Sequence, residues 1–231
     1  MMIRNRPTIE SKKMTVLCMT VLIVILIALF HEPVHGRVEE RHRYRQTTGE
    51  KAFFYTWEKE NRSPVKIRIV EPNDTFTILC DTAGETMEWV FSNQKSRVIA
   101  KKMGAEIHIA GTFQDRPYEE KVPMNNERWY QALPYALRQM VGSGRDEATF
   151  MMIRPDTLAP LRLKAVRLEP EAVTISGKKV FAHKLRLTLN GLLENMWSAY
   201  YWFRHSDGVF LQYKGTNGPP GTPETLIQLM D

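Results

Sequence analysis

The chain has 231 residues, with 32 Lys and Arg against 26 Asp and Glu, a formal charge of +6 and two cysteines. Eight of those cations and four of those acids fall in residues 1–45, leaving 24 against 22 beyond them, so the remainder is close to neutral and lacks the basic patch that nucleic-acid binding requires. Cys18 lies within an apolar run, which leaves Cys80 alone in the rest of the chain and excludes an intradomain disulfide.

Residues 1–13 carry Arg4, Arg6, Lys12 and Lys13 and form a basic lead-in to Met14–Phe30 (MTVLCMTVLIVILIALF), seventeen residues without a charge. A signal-peptide core needs roughly 7–15 apolar residues and a membrane span about 17–25. The run therefore fits either a transmembrane anchor or a signal segment cleaved near Gly36, after Val34-His35-Gly36. Cys18 stands near the start of the run, not at its end, so no lipid-modified cysteine is expected. Lys12 and Lys13 abut the run, whereas Arg37, Arg41, Arg43 and Arg45 beyond it are mixed with Glu32, Glu39 and Glu40. That asymmetry places the following domain outside the cytoplasm, in the periplasm or cell envelope. Residues 31–48 read as a charged linker, either solvated or touching anionic headgroups at about 1 kcal/mol per cation.

From residue 49 to 231 the sequence predicts one extracytoplasmic, mainly β domain. Val65, Ile67 and Ile69 alternate with cations, and Pro72-Asn73-Asp74 turns the chain into Thr75–Cys80. No cation or histidine neighbours Cys80 to lower its pKa, so it reads as a buried thiol. Further strands are expected at 87–91, 97–101, 105–110, 150–154, 161–168, 173–176, 180–189, 199–205, 209–214 and 226–230. The apolar phase shift within 161–168 points to a β-bulge. Ser176-Gly177, Asn190-Gly191 and Asp207-Gly208 carry the chemistry of tight hairpin turns. One segment breaks the period. Trp129, Leu133, Leu137, Met140 and Val141 recur at helical spacing between Asn126 and Gly142, predicting an amphipathic helix over 126–141, kinked or divided at Pro134. The expected architecture is an antiparallel meander forming a curved sheet or half-barrel, with this helix covering its apolar face or lying in its hollow.

Signatures of catalysis are missing. Gly218-Pro219-Pro220-Gly221-Thr222-Pro223-Glu224 resembles a phosphate loop only at its start, since Pro223 and Glu224 stand where Gly and Lys are required. His108, His183 and His205 are widely separated, there is no Cys-x-x-Cys or His-x-x-x-His, and the serines sit in turn-like contexts, so neither a metal centre, a cofactor nor a nucleophilic triad is expected. His183 shares strand parity with Phe181, Leu185, Leu187 and Leu189 and is the one suggestive histidine. In Tyr200-Tyr201-Trp202-Phe203, alternate rings face opposite sides of a strand that has apolar surroundings on both.

Trp202-Phe203 and Asp207-Gly208, followed by Leu211 and Tyr213, resemble the C-terminal hairpin of an uncharacterised family of bacterial envelope proteins, with Trp129-Tyr130 at the start of its inserted helix. The resemblance spans about residues 50–231. It implies a half-barrel similar to that of the periplasmic lipoprotein carriers, whose concave apolar face holds acyl chains, and it brings no catalytic residue. The chain departs from the carriers in lacking a lipobox and in its loop 215–223. On this reading Trp89, Trp129, Leu133, Leu137, His183 and Trp202 would line the hollow. The partners expected are the membrane, a lipid or another envelope protein. The expected role is non-enzymatic binding or scaffolding, and the alternative is an envelope hydrolase built around His183 with Glu169 or Glu171.

Overall fold

The structure, a computed structural model describing residues 38–216 and 222–230, opens with a strand where the sequence suggested a linker. In β1 (Val38–Thr48) Arg41 and Arg43 face water while Tyr44 is 2% exposed. The alternation is real, but charges at nearly every position conceal it, and so 38–48 belongs to the domain. Met14–Phe30 and Val34-His35-Gly36 lie outside the described residues. Among the described residues no helix is long and apolar enough to cross a membrane.

Hairpins then follow in order: β2 (Lys51–Glu60), β3 (Val65–Val70), β4 (Thr75–Cys80), β5 (Thr86–Ser92), β6 (Arg97–Met103), β7 (Glu106–Phe113) and β8 (Arg116–Pro123). A two-residue strand, β9 (Arg128–Trp129), precedes helix α1 (Leu133–Gly142). The return run is β10 (Glu147–Ile153), β11 (Pro160–Ile175), β12 (Lys178–Leu189), a 3-10 helix (Gly191–Met196), β13 (Ser198–Arg204), β14 (Phe210–Thr216) and β15 (Glu224–Leu229). All fifteen strands form one sheet, ordered β8-β7-β6-β5-β4-β3-β2-β1-β15-β14-β13-β12-β11-β10-β9. Every pairing is antiparallel except β9 with β10.

The fold is thus the expected curved antiparallel sheet, and several local expectations need correction. The helix begins at Leu133, not Asn126, because Asn125 and Asn126 take left-handed φ values of 50° and 62° and turn the chain. Trp129 falls in β9. Pro134 occupies the first helical turn, where its missing N–H has no partner to lose, so it starts the helix and does not kink it. Segments 161–168 and 173–176 form one strand, with the bulge between Leu168 and Glu171. Ser176 and Gly177 both have left-handed φ, as a tight hairpin requires, but Asn190-Gly191 leads into the 3-10 helix. Strands β2 and β8 went unread.

One face of the sheet is the interior. It carries Ile67, Ile78, Trp89, Ala100, Ile107 and Ile109 on one side, and Leu163, Ala165, Leu185, Leu187 and Phe203 on the other, each no more than 1% exposed. Between the two sides the rings of Tyr44 and Tyr55 stack at 5.3 Å, and Phe210 lies 5.3 Å from Tyr44 and 5.6 Å from Tyr201. Residues Arg37–Asp231 form one compact unit; with this core and every strand pairing inside it, the unit can fold independently.

Candidate ligand-binding site

The sheet curls far enough for its two halves to grip α1 between them. Arg138 donates to Glu40 on β1 (2.7 Å) and to the carbonyl of Asp207 in the β13–β14 turn (2.8 Å). Arg167 on β11 donates to the carbonyl of Val141 (2.9 Å) at the helix C-terminus. Ala136 packs on Gly84 in the β4–β5 turn, where an added Cβ would lie 2.7 Å from its Cα. Gln131 ties the helix entry to both halves: its backbone N–H donates to Thr86 Oγ1 (2.9 Å), and its side-chain amide exchanges hydrogen bonds with the backbone of Ile153 (2.8 and 3.0 Å).

This helix closes one end of the barrel. The space left between it and Glu40, His42, Tyr44, Trp57 and Phe210 is about 10 Å³, room for one water at most. The Glu40 carboxyl there is held well below the usual carboxylate range by the His42 imidazole at 3.7 Å, the Lys59 ammonium at 2.8 Å and Arg138 at 2.7 Å, against the opposing effect of burial.

The opposite end is open. A cavity of about 620 Å³ is bounded by Gln46 on β1, the β3–β4, β5–β6 and β7–β8 turns, and Pro155 and Asp156 after β10. Such a volume suits a small molecule or a segment of a lipid. Phe76, Phe91 and Phe113 supply its apolar surface. Phe76 stacks on Phe91 at 5.3 Å, and Phe91 stacks on the buried Trp89 at 5.9 Å, so the floor is backed by the core. The rim is braced from turn to turn. Asn93 donates from Nδ2 to Asp74 (3.0 Å), Gln114 N–H donates to the buried Ser96 Oγ (3.1 Å), and Asp115 N–H donates to the Lys95 carbonyl (2.8 Å).

Glu71 directly follows β3, in the same parity as Ile69, and lines this cavity with a half-buried carboxyl. Burial, and secondarily the charge of Asp74, push it up to about 7. No hydrogen bond or ion pair engages that carboxyl among the described residues.

None of the six side chains expected to line the hollow touches this cavity. Trp89, Trp129 and Leu137 are fully buried, and Leu133 nearly so, because the helix end is packed solid. Trp202 lies on the other sheet face, where its Nε1 donates to Glu171 (2.8 Å) and the Lys184 ammonium sits 5.4 Å from its ring. His183 pairs across the sheet with Phe203 and stacks on His205 at 4.5 Å, and its Nδ1 has no partner; burial, His205 and Arg167 lower its pKa. Glu171 is turned to the Trp202 face and Glu169 is exposed, so neither meets His183. Among the described residues no group of three or more His, Cys, Asp or Glu side chains could hold a metal. Cys80 is buried as expected, its thiol pushed up to about 12 by burial. The cavity residues carried one readable signal, the shared parity of Phe76, Ile78 and Cys80; Glu71 read only as the approach to a turn.

Geometry of this kind defines an open, helix-plugged antiparallel barrel. A β-barrel-like protein of the domain of unknown function DUF1849 from Brucella abortus shares the fold, with a TM-score of 0.55 at 11% identity over 83% of this chain and 95% of that one. The hypothetical lipoprotein YmcC from Escherichia coli aligns with a TM-score of 0.37 at 10% identity, covering 90% of this chain and 95% of that one. A LolA superfamily protein from Nitrosomonas europaea aligns with a TM-score of 0.21 at 9% identity, covering 83% and 82%. No protein-family model and no curated protein matches the chain.

Proposed function

We propose that residues 37–231 are an extracytoplasmic binding domain, not an enzyme, which receives the alkyl part of a lipid or similar envelope component in the open end of its barrel. The observation that carries this reading is the 620 Å³ cavity, with its phenylalanine floor and braced polar rim. It differs from the packed helix end in having room for a ligand. The apolar run Met14–Phe30 supports an envelope location, as an anchor or as a cleaved signal.

The domain purified without detergent should release lipid into organic solvent. Emptied, it should bind the neutral fluorescent probe N-phenyl-1-naphthylamine, and dodecyl amphiphiles should displace that probe. Phe76→Glu, which sets a charge in the floor, should weaken probe binding about tenfold or more, a loss of at least ~1.4 kcal/mol. Failure of the folded domain to yield lipid or to bind any dodecyl compound would overturn the reading.

A further inference from the structure

The cavity's charges say which amphiphile it suits, an inference that rests on the binding reading above. Its lining holds three carboxylates, Glu71, Asp74 and Asp156, and one cation, Lys95. Two of the three acids are already engaged. Asp156 is paired with Arg154 through two hydrogen bonds of 2.5 and 3.0 Å, and Asp74 accepts from Asn93. Lys95 is exposed at the turn, its ammonium solvated. Glu71 is half-buried, lines the same cavity as Phe76 and Phe91, and its carboxyl has no hydrogen-bond or ion-pair partner among the described residues.

An anionic head, whether carboxylate or phosphate, would meet Glu71 and Asp74 at close range and gain little from a solvated lysine. A neutral head would leave the Glu71 charge without compensation in a poorly hydrated place. Only a cationic head both donates a hydrogen bond to that unpaired carboxylate and neutralises its charge. We infer that the mouth cavity selects amphiphiles with an ammonium head, held by the Glu71 carboxylate with the alkyl chain on Phe76, Phe91 and Phe113.

A pH dependence follows. The charged groups that line the cavity with Glu71 are Asp74 from its own turn, Lys95 from the β5–β6 turn and Asp156, neutralised by Arg154, from the loop after β10; the Tyr55 phenol on β2 stays neutral, its pKa raised by burial. With Glu71 titrating at about 7 when the cavity is empty, an alkylammonium, charged to about pH 10, finds its counter-ion ionised above neutrality and protonated below it.

The test is competition against N-phenyl-1-naphthylamine by dodecylammonium, dodecanol and dodecanoate, on the 37–231 domain and its Glu71→Gln variant. At about pH 8 dodecylammonium should bind roughly tenfold tighter than dodecanol, and dodecanoate weakest. That preference should vanish at about pH 5.5 and in Glu71→Gln. Should Glu71→Gln fail to fold, the pH series on the wild type decides alone. Equal or tighter binding of dodecanol or dodecanoate at about pH 8 would overturn the ammonium preference and leave the binding reading standing; no displacement by any of the three would overturn both. With the preference established, lysophosphatidylethanolamine binding more tightly than lysophosphatidylglycerol would assign the head to a membrane lipid, and binding of dodecylammonium alone would assign it to a simple alkylamine.

Discussion

Glu71 and Glu40 are both glutamates on the inner sheet face, and the fold shifts their acidities in opposite directions. Glu71 binds its proton more tightly folded than unfolded, so the neutral acid is fully favourable below about pH 4 and that advantage is lost as pH rises through about 7. Glu71→Gln is therefore expected to raise thermal stability at about pH 8, by on the order of 1–2 kcal/mol after solvent screening, and to have little effect at about pH 4. Calorimetric melts across that range check it. Glu40 has the reverse sign: its carboxyl is depressed by His42, Lys59 and Arg138, so its contribution is complete above about pH 5 and is lost as pH falls. Glu40→Gln should cost about 1–3 kcal/mol near neutrality and progressively less under acid, in the same melts. Neither role was legible in the sequence. Glu40 sat among alternating cations and looked like linker charge, and Glu71 looked like the approach to Pro72-Asn73-Asp74; what distinguishes them is which distant side chains surround them.

At the scale of the element, α1 has little intrinsic support. Ala132 makes no side-chain cap, no acid lies in the first turn, and no base lies in the last. Arg167 reaches from β11 to its terminal carbonyls, and Gly84 lets its backbone come close. A ten-residue helix without a side-chain N-cap is held by packing, not by propensity. Gly84→Ala combines a left-handed φ of 89° with a Cβ 2.7 Å from the Ala136 backbone, and is expected to destabilise the domain by about 2–4 kcal/mol. Hydrogen exchange should show the helix amides losing protection before those of β6 and β7. The existence of a helix was readable from the spacing of Leu133, Leu137, Met140 and Val141. Its start was not, because Trp129 extends the same period by accident while Asn125 and Asn126 turn the backbone beforehand.

For the whole molecule, the meander was legible because most sheet neighbours are sequence neighbours joined by Gly, Asn, Asp or Pro turns. Its ends were harder: β8 is an edge strand with Pro117, Pro123, Glu119 and Glu120, residues that deter pairing by another chain and hide the strand from a hydrophobic reading. Beyond the parity of Phe76 the cavity was not legible, since several turns far apart in sequence meet only when the sheet curls. One antiparallel pairing stands outside the meander. β1 and β15 lie side by side in the middle of the sheet, with Thr48 and Thr225 hydroxyls 2.8 Å apart and Met230 N–H donating to Arg43 (3.0 Å). The order of strands is therefore a simple up-and-down ribbon whose chain has been opened at its centre. A circular permutant joining Met230 to Val38 through a short linker, and opened between Asn125 and Asn126, would carry its strands in the order in which they pair. Stopped-flow refolding should find it faster than the native chain, with the same near-ultraviolet spectrum at equilibrium. The native connectivity makes the domain's last strand the partner of its first, so the two halves of the sheet can join only once the whole domain is present.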